Sequence, residues 1–227
     1  VVAASALTGF IDYAEGSYAA ELSALITAPA KQAVPAGKVT IIDGFPPVVE
    51  GELIWCHQDN LNTDGIYPGK YTYNDDFTPA DQAKVVMENY DPAFVTMVKE
   101  GDILVGGFNF GTGSSREQAA TALKYRGIRL VICGSASETY KRNALNNGFL
   151  VLEIPELVTI MKERFGTAQL TVKTGIQVKI DFATSRMSFE NTELQIGPVG
   201  AAAQELIVTG GLENWVIKNL QQEQEQK

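Results

Sequence analysis

Histidine and cysteine are nearly missing from this 227-residue sequence, which has one histidine, His57, and two cysteines, Cys56 and Cys133. Zinc sites of the CxxC or HExxH type need more ligands than these. So do iron–sulfur clusters held by three or four cysteines. Two cysteines in so long a chain exclude a disulfide framework and suggest a reducing compartment. A Ser-His-Asp triad would have to recruit His57. Positive charge is scarce as well: 18 Lys and Arg against 27 Asp and Glu give a net charge of -9. That balance disfavours nucleic acid as a partner. It also repels anionic substrates at long range, so an anion site needs concentrated local positive groups. No apolar run approaches the ~18–20 residues of a membrane span, and no membrane contact is expected. The first residues, VVAASALTGF, lack both an initiator Met and the basic region of a signal peptide. They read as a processed product or a piece of something longer.

What is present is the composition of an ordinary globular protein, with 45% hydrophobic and 20% charged residues. Residues 1–37 read as an Ala-rich extension or linker in which Tyr18, Leu22, Leu25 and Ile26 mark one amphipathic helix. Strands are expected at 38–43 and 51–56. The stretch 57–78 is rich in Asn, Asp, Gly, Tyr and Thr and reads as a long loop, the kind that is usually functional or disordered. Thr78 and Pro79 start a helix expected over 78–90. Strands at 101–110, 128–133 and 149–154 then alternate with helices at 115–127, 137–147 and 155–166. Strand–helix alternation implies a parallel sheet with crossovers. Period-two patterning over 169–197 predicts an antiparallel extension. Two helices close the chain, the last with Leu212, Trp215, Val216 and Leu220 on one face, and 221–227 is expected to fray. The expected fold class is α/β: a small parallel sheet flanked by helices, with an antiparallel β extension.

The turn Gly111-Thr112-Gly113-Ser114-Ser115-Arg116 carries the clearest chemistry. Glycines leave backbone amides uncovered, and a following helix N-terminus adds partial positive charge. Arg116 adds a planar fork suited to a carboxylate. Ser114-x-x-Glu117 also fits a capping box, so Ser114 reads equally well as a helix cap or as a reactive hydroxyl. A dinucleotide loop is the competing reading. Arg116 stands where its third glycine belongs, and Glu138 lies past the second strand rather than at its tip.

The segments NLNTDGIYPGKYTY (60–73), GDILVGGFNFGTGSSREQAATAL (101–123), RNALNNGFLVLEIP (142–155) and GGLENW (210–215) resemble the swivel domain of the aconitase superfamily. The wording of the 60–73 loop is most similar to the fungal mitochondrial homoaconitase branch. The resemblance covers about 43–220 and implies a swivel domain over 38–220. It implies a hydro-lyase that moves a hydroxyl between adjacent carbons of a polycarboxylate. Ser114 then matches the serine base and Asp64 another active-site residue. Arg116, with Gly113 and Ser115 beside it, matches the carboxylate-binding positions. Lys70, Tyr71, Thr72 and Tyr73 fall where substrate choice is made. The archaeal PxRYLRT wording, with its arginine, is absent there. The resemblance also implies a 4Fe–4S cluster held by a partner domain or subunit rather than by this chain. It implies a mitochondrial matrix location if the fungal branch holds, and a cytoplasmic one otherwise. The small subunit of isopropylmalate isomerase is the nearest alternative. RNA binding, known among aconitase relatives, is disfavoured by the acidic charge.

Other residues read blandly. His57 reads as a structural or surface residue, and Cys56 and Cys133 as core. Asp75-Asp76 reads as solvated loop rather than a metal site, Arg142-Asn143 as helix surface, and Trp55 and Trp215 as core or domain contacts.

Overall fold

Strand β1 (Val48–Cys56) sends Leu53 and Trp55 to one face and Ile54 and Cys56 to the other, and all four are fully buried. A strand covered on both sides is the signature of a sheet packed between two layers. The computed structural model describes residues 39–74 and 76–225, which fall in the unit Ala36–Lys227. The helix expected around Tyr18, the rest of the 1–37 extension and Asp75 lie outside the described residues.

β1 leads through α1 (Thr63–Ile66), a 3-10 turn (Gly69–Tyr71), α2 (Pro79–Val85) and α3 (Phe94–Met97) to β2 (Ile103–Gly106). Then follow α4 (Gln118–Tyr125), β3 (Val131–Cys133), α5 (Glu138–Asn146), β4 (Val151–Glu153) and α6 (Pro155–Phe165). A meander of β5 (Thr171–Asp181), β6 (Arg186–Phe189) and β7 (Thr192–Gln195) precedes α7 (Ala201–Thr209) and α8 (Leu212–Glu225). The strands form one seven-stranded sheet in the order β4-β3-β2-β1-β5-β6-β7. β1 to β4 pair in parallel, and β5 to β7 add the antiparallel extension through β1. The expected α/β class is therefore the observed one.

Two cores follow from the two faces. Ile66, Tyr67, Phe94, Ala119, Leu123, Tyr140 and Ala144 from the crossover segments cover Ile54, Leu104 and Val131. Leu157, Val158 and Met161 of α6 join Ile176, Val178 and Ile180 of β5 over Leu53, Trp55 and Val105. Cys56 and Cys133 are core residues, and burial pushes the Cys56 thiol pKa up, which keeps it protonated and unreactive. Trp55 is buried with its indole N–H on the Gly166 carbonyl, whereas Trp215 donates to Glu205.

Several boundaries differ from expectation for identifiable reasons. No strand forms at 39–42. There the Ile42 amide donates to the side chain of fully buried Gln204, whose own amide group donates to Thr40 and Val199 carbonyls. A side chain takes the place of a neighbouring strand. The helix expected over 78–90 keeps its Thr78–Asp81 capping box but stops at Val85. Val86 turns extended and Met87 takes φ 64°, which buries both side chains completely. The 57–78 loop contains α1 and the 3-10 turn. At the C-terminus, α8 continues through residues 221–225, and Leu212, Val216 and Leu220 are exposed rather than packed.

Candidate active site

The loops that follow β1, β2 and β3 are stitched together beyond the carboxyl ends of the parallel strands, where open α/β sheets place their ligands. Asn60 N donates to Phe108 O, Gly111 N to Leu61 O and Thr63 N to Thr112 O. On the other side Phe110 N donates to Ser135 O and Ser137 N to Phe110 O. Asp59 accepts the Phe108 amide at 2.7 Å and the Lys162 ammonium at 2.6 Å. Asn60 and Asn109 both take positive φ, 57° and 54°, and their side chains bond each other at 2.8 Å. The Gly-Ser turn is thus held as a continuation of the sheet.

Gly111, at φ 69°, packs directly against the Tyr140 side chain: a Cβ there would stand 2.3 Å from its Cγ. That close approach lets the chain turn back and present Gly113, at φ 96°, and Ser114 at the surface. α4 begins at Gln118 with Glu117 as its N-cap and no side-chain cap. The capping-box reading of Ser114 is therefore corrected, because Ser114 stands outside the helix and faces α1 instead. Its hydroxyl lies 3.0 Å from that of Thr63. Among the described residues, the amides of Ser114, Ser115, Arg116 and Glu117 donate to no protein group. Arg116, expected in the first helical turn, precedes it.

Arg116 is aimed from its base. Its Nη1 donates to Asp64 Oδ1 at 2.8 Å and to the Tyr67 carbonyl at 3.0 Å, while Nη2 has no acceptor among the described residues. Asp64 also accepts the Gly69 amide at 2.9 Å and the Asn89 side-chain amide at 3.1 Å. The Arg116 hydrogen bond, followed by the Gly69 amide, holds the Asp64 carboxyl below the usual aspartate range. The pair leaves the Nη2 edge of the guanidinium without a protein acceptor among the described residues, and a planar edge of that kind suits a carboxylate.

The 68–74 segment divides in two. Lys70 and Tyr71 both bond Glu88, at 2.5 and 3.1 Å, and the Tyr71 ring stacks on Phe77 with centroids 4.9 Å apart. Thr72 and the exposed Tyr73 instead line an open depression of about 480 Å³ with Ser114, Ser115, Arg116, Glu117 and Gln118. His57 does not line it. Among the described residues no three His, Cys, Asp or Glu side chains come together to hold a metal ion.

The description "Aconitase C-terminal domain" matches residues 27–157, more than half of the chain. This chain belongs to the aconitase C-terminal domain family. It is 47% identical over 195 residues to the mitochondrial homoaconitase of Candida albicans, covering 83% of this chain and 28% of that protein. It is 49% identical over 194 residues to the mitochondrial homoaconitase of Kluyveromyces lactis, covering 81% and 28% respectively. The chain thus spans less than a third of the length of these curated relatives. A crystal structure of 3-isopropylmalate dehydratase from Methanocaldococcus jannaschii matches it with a TM-score of 0.67 at 31% identity, covering 79% of this chain and 99% of that one.

In this aconitase-type domain, four supporting residues escaped sequence reasoning. Thr63 had one signal, its place beside Asp64; its burial among Leu61, Ile66 and Tyr67 is visible only in the fold. Asn143 is not helix surface as expected: it is buried and donates to the Ser115 carbonyl at 3.1 Å. Asn89 and Glu88 lie on an irregular stretch after α2 and carried no local pattern.

Proposed function

We propose that this chain is the swivel domain of a homoaconitase-type hydro-lyase, interconverting homocitrate, homoaconitate and homoisocitrate in lysine biosynthesis. The observation that carries the reading is the likeness to homoaconitases over more than four fifths of the chain. The Ser114–Arg116–Asp64 geometry supports it from the chemical side.

In this reading Ser114 Oγ, as an oxyanion, takes the proton from the carbon beside a substrate carboxylate. The electron pair moves toward that carboxylate, and its negative charge is met by the open edge of Arg116 and the uncovered amides of 114–117. Thr72, Tyr73 and Ser115 shape the rest of the depression. The leaving hydroxyl requires a Lewis acid, supplied in this proposal by a 4Fe–4S cluster. The side chains of the described residues do not fit such a cluster, so it is assigned to the cluster-binding domain or subunit that pairs with this one. The proposed location is the mitochondrion, the compartment in the relatives' names.

The test is Ser114→Ala in the full-length enzyme, assayed on homoaconitate. Turnover should fall by about 10² to 10⁴ while substrate binding largely survives. Unchanged turnover removes the base assignment. A second reading, action on isopropylmaleate, is favoured by the near-complete coverage of the archaeal dehydratase. Faster turnover of isopropylmaleate than of homoaconitate would replace the first reading with the second.

A further inference from the structure

Thr63 is the first residue of α1, 2% exposed, and fixed at both ends of its backbone. Its amide donates to Thr112 O and its carbonyl accepts from Tyr67 N. Its Oγ1 lies 3.0 Å from the Ser114 carbonyl oxygen and 3.0 Å from Ser114 Oγ. A threonine hydroxyl carries one proton and two lone pairs. It can donate to only one of these two oxygens at a time. While Ser114 keeps its proton, Thr63 donates to the carbonyl and accepts from the serine hydroxyl. Once Ser114 has given its proton to the substrate carbon, as the hydration direction requires, the stronger acceptor is the negative Oγ, and a hydrogen bond to a charged oxygen is roughly twice as strong as a neutral one.

We infer that Thr63 is a positioning residue for Ser114, a fixed hydroxyl whose proton turns from the serine carbonyl to the serine Oγ as the base forms. The proton rotates about the Cβ–Oγ1 bond, and no heavy atom has to move. Burial makes this switch effective, because water does not compete for the Thr63 proton. The same burial aims it, because α1 is anchored to the Gly-Ser turn by the Thr63–Thr112 backbone bond. The inference rests on the reading of Ser114 as the base.

The experiment is a double-mutant cycle in the full-length enzyme on its hydration substrate. Thr63→Val keeps the shape and removes the hydroxyl. It should lower kcat by about 10- to 100-fold, the range of one lost hydrogen bond to a charged group, with KM within about twofold. Thr63→Ser should restore most of the loss. In a Ser114→Ala background, Thr63→Val should change the residual rate no further, since the partner is gone. Wild-type kcat in Thr63→Val beside an inactive Ser114→Ala overturns the Thr63 inference alone. Equal losses in both backgrounds also overturn it, because they assign Thr63 a purely structural role. Full activity in Ser114→Ala overturns the base reading and this inference with it. If Thr63→Val fails to fold by circular dichroism, the contrast between Thr63→Ala and Thr63→Ser isolates the same hydroxyl.

Discussion

Arg116 and Asp64 meet at 2.8 Å although they leave the sheet on different loops, Asp64 after β1 and Arg116 after β2. The arginine side chain is the more sheltered of the two, and the aspartate faces solvent. An exposed pair of this kind adds little to stability. Its consequence is orientation, because a guanidinium held by one nitrogen presents its other edge in a fixed direction.

The pair has a defined pH dependence. Arg116 first, then the Gly69 amide, lowers the Asp64 pKa. A carboxylate depressed in the folded state contributes fully above its unfolded value of about 3.9. The contribution is lost as pH falls through the lower folded value. A ¹³C NMR titration of the Asp64 carboxyl should therefore show a midpoint below that of a free aspartate. In Arg116→Ala the midpoint should move up. A midpoint unaffected by Arg116→Ala would show that the two groups do not interact in solution.

Lys70 and Arg116 should behave differently although both are basic and close to the same turn. The Lys70 ammonium is engaged by Glu88, which also lowers the Glu88 pKa, whereas Arg116 lines the depression with an open edge. Arg116→Lys, which replaces a bidentate fork by a point charge, should raise KM by about tenfold or more. Lys70→Gln should change KM less than threefold, in the manner of an exposed pair. A larger effect at Lys70 than at Arg116 would move the carboxylate contact to the 68–74 segment.

Much of this was legible in the sequence, and the exceptions share a cause. Period and punctuation marked the parallel strands, because strands buried on both faces must be continuous apolar runs. Ser114 and Arg116 stood out together in one short Gly-Ser turn, whereas Asp64, 50 positions upstream, entered only through the family resemblance. What escaped was whatever depends on contacts distant in sequence. The strand expected at 38–43 lost to the buried amide of Gln204, more than 160 positions away. The cap role of Ser114 lost to a hydroxyl 51 positions upstream. Nor does local pattern show that Lys70 and Tyr71, which the resemblance places in the stretch of substrate choice, both bond Glu88. Local pattern carries no information about such partners.

Asn143 gives a test of how the turn is supported from below. Its side chain is buried in α5 and donates to the Ser115 carbonyl. Asn143→Leu keeps the forked shape of the side chain, with bulkier ends, and removes that bond. The expected loss is about 1 kcal/mol in urea denaturation. Catalysis should fall more than stability suggests, because Ser114 and Arg116 flank the carbonyl that is released. Asn143→Asp sets a carboxylate against that carbonyl and should cost more on both counts. Equal stability of all three proteins would show that the bond is not formed.

Gly69 packs close against the Arg116–Asp64 pair. A Cβ at this position would stand 3.0 Å from Arg116 Nη2 and 3.0 Å from Asp64 Oδ1. The backbone at Gly69 is also the donor to Asp64, so the residue cannot withdraw without breaking that bond. In Gly69→Ala the guanidinium edge has to shift by a few tenths of an ångström or more. Misplacements on the scale of an ångström cost up to about 10² in rate where groups must meet a reacting substrate. The folded state should tolerate the change, because Arg116 and Asp64 are both partly exposed and can move outward. Gly69→Ala should therefore keep its melting temperature within a few degrees while KM rises several-fold, and Arg116→Lys combined with Gly69→Ala should be less than additive. Full additivity would mean that the methyl group acts on something other than the Arg116–Asp64 pair.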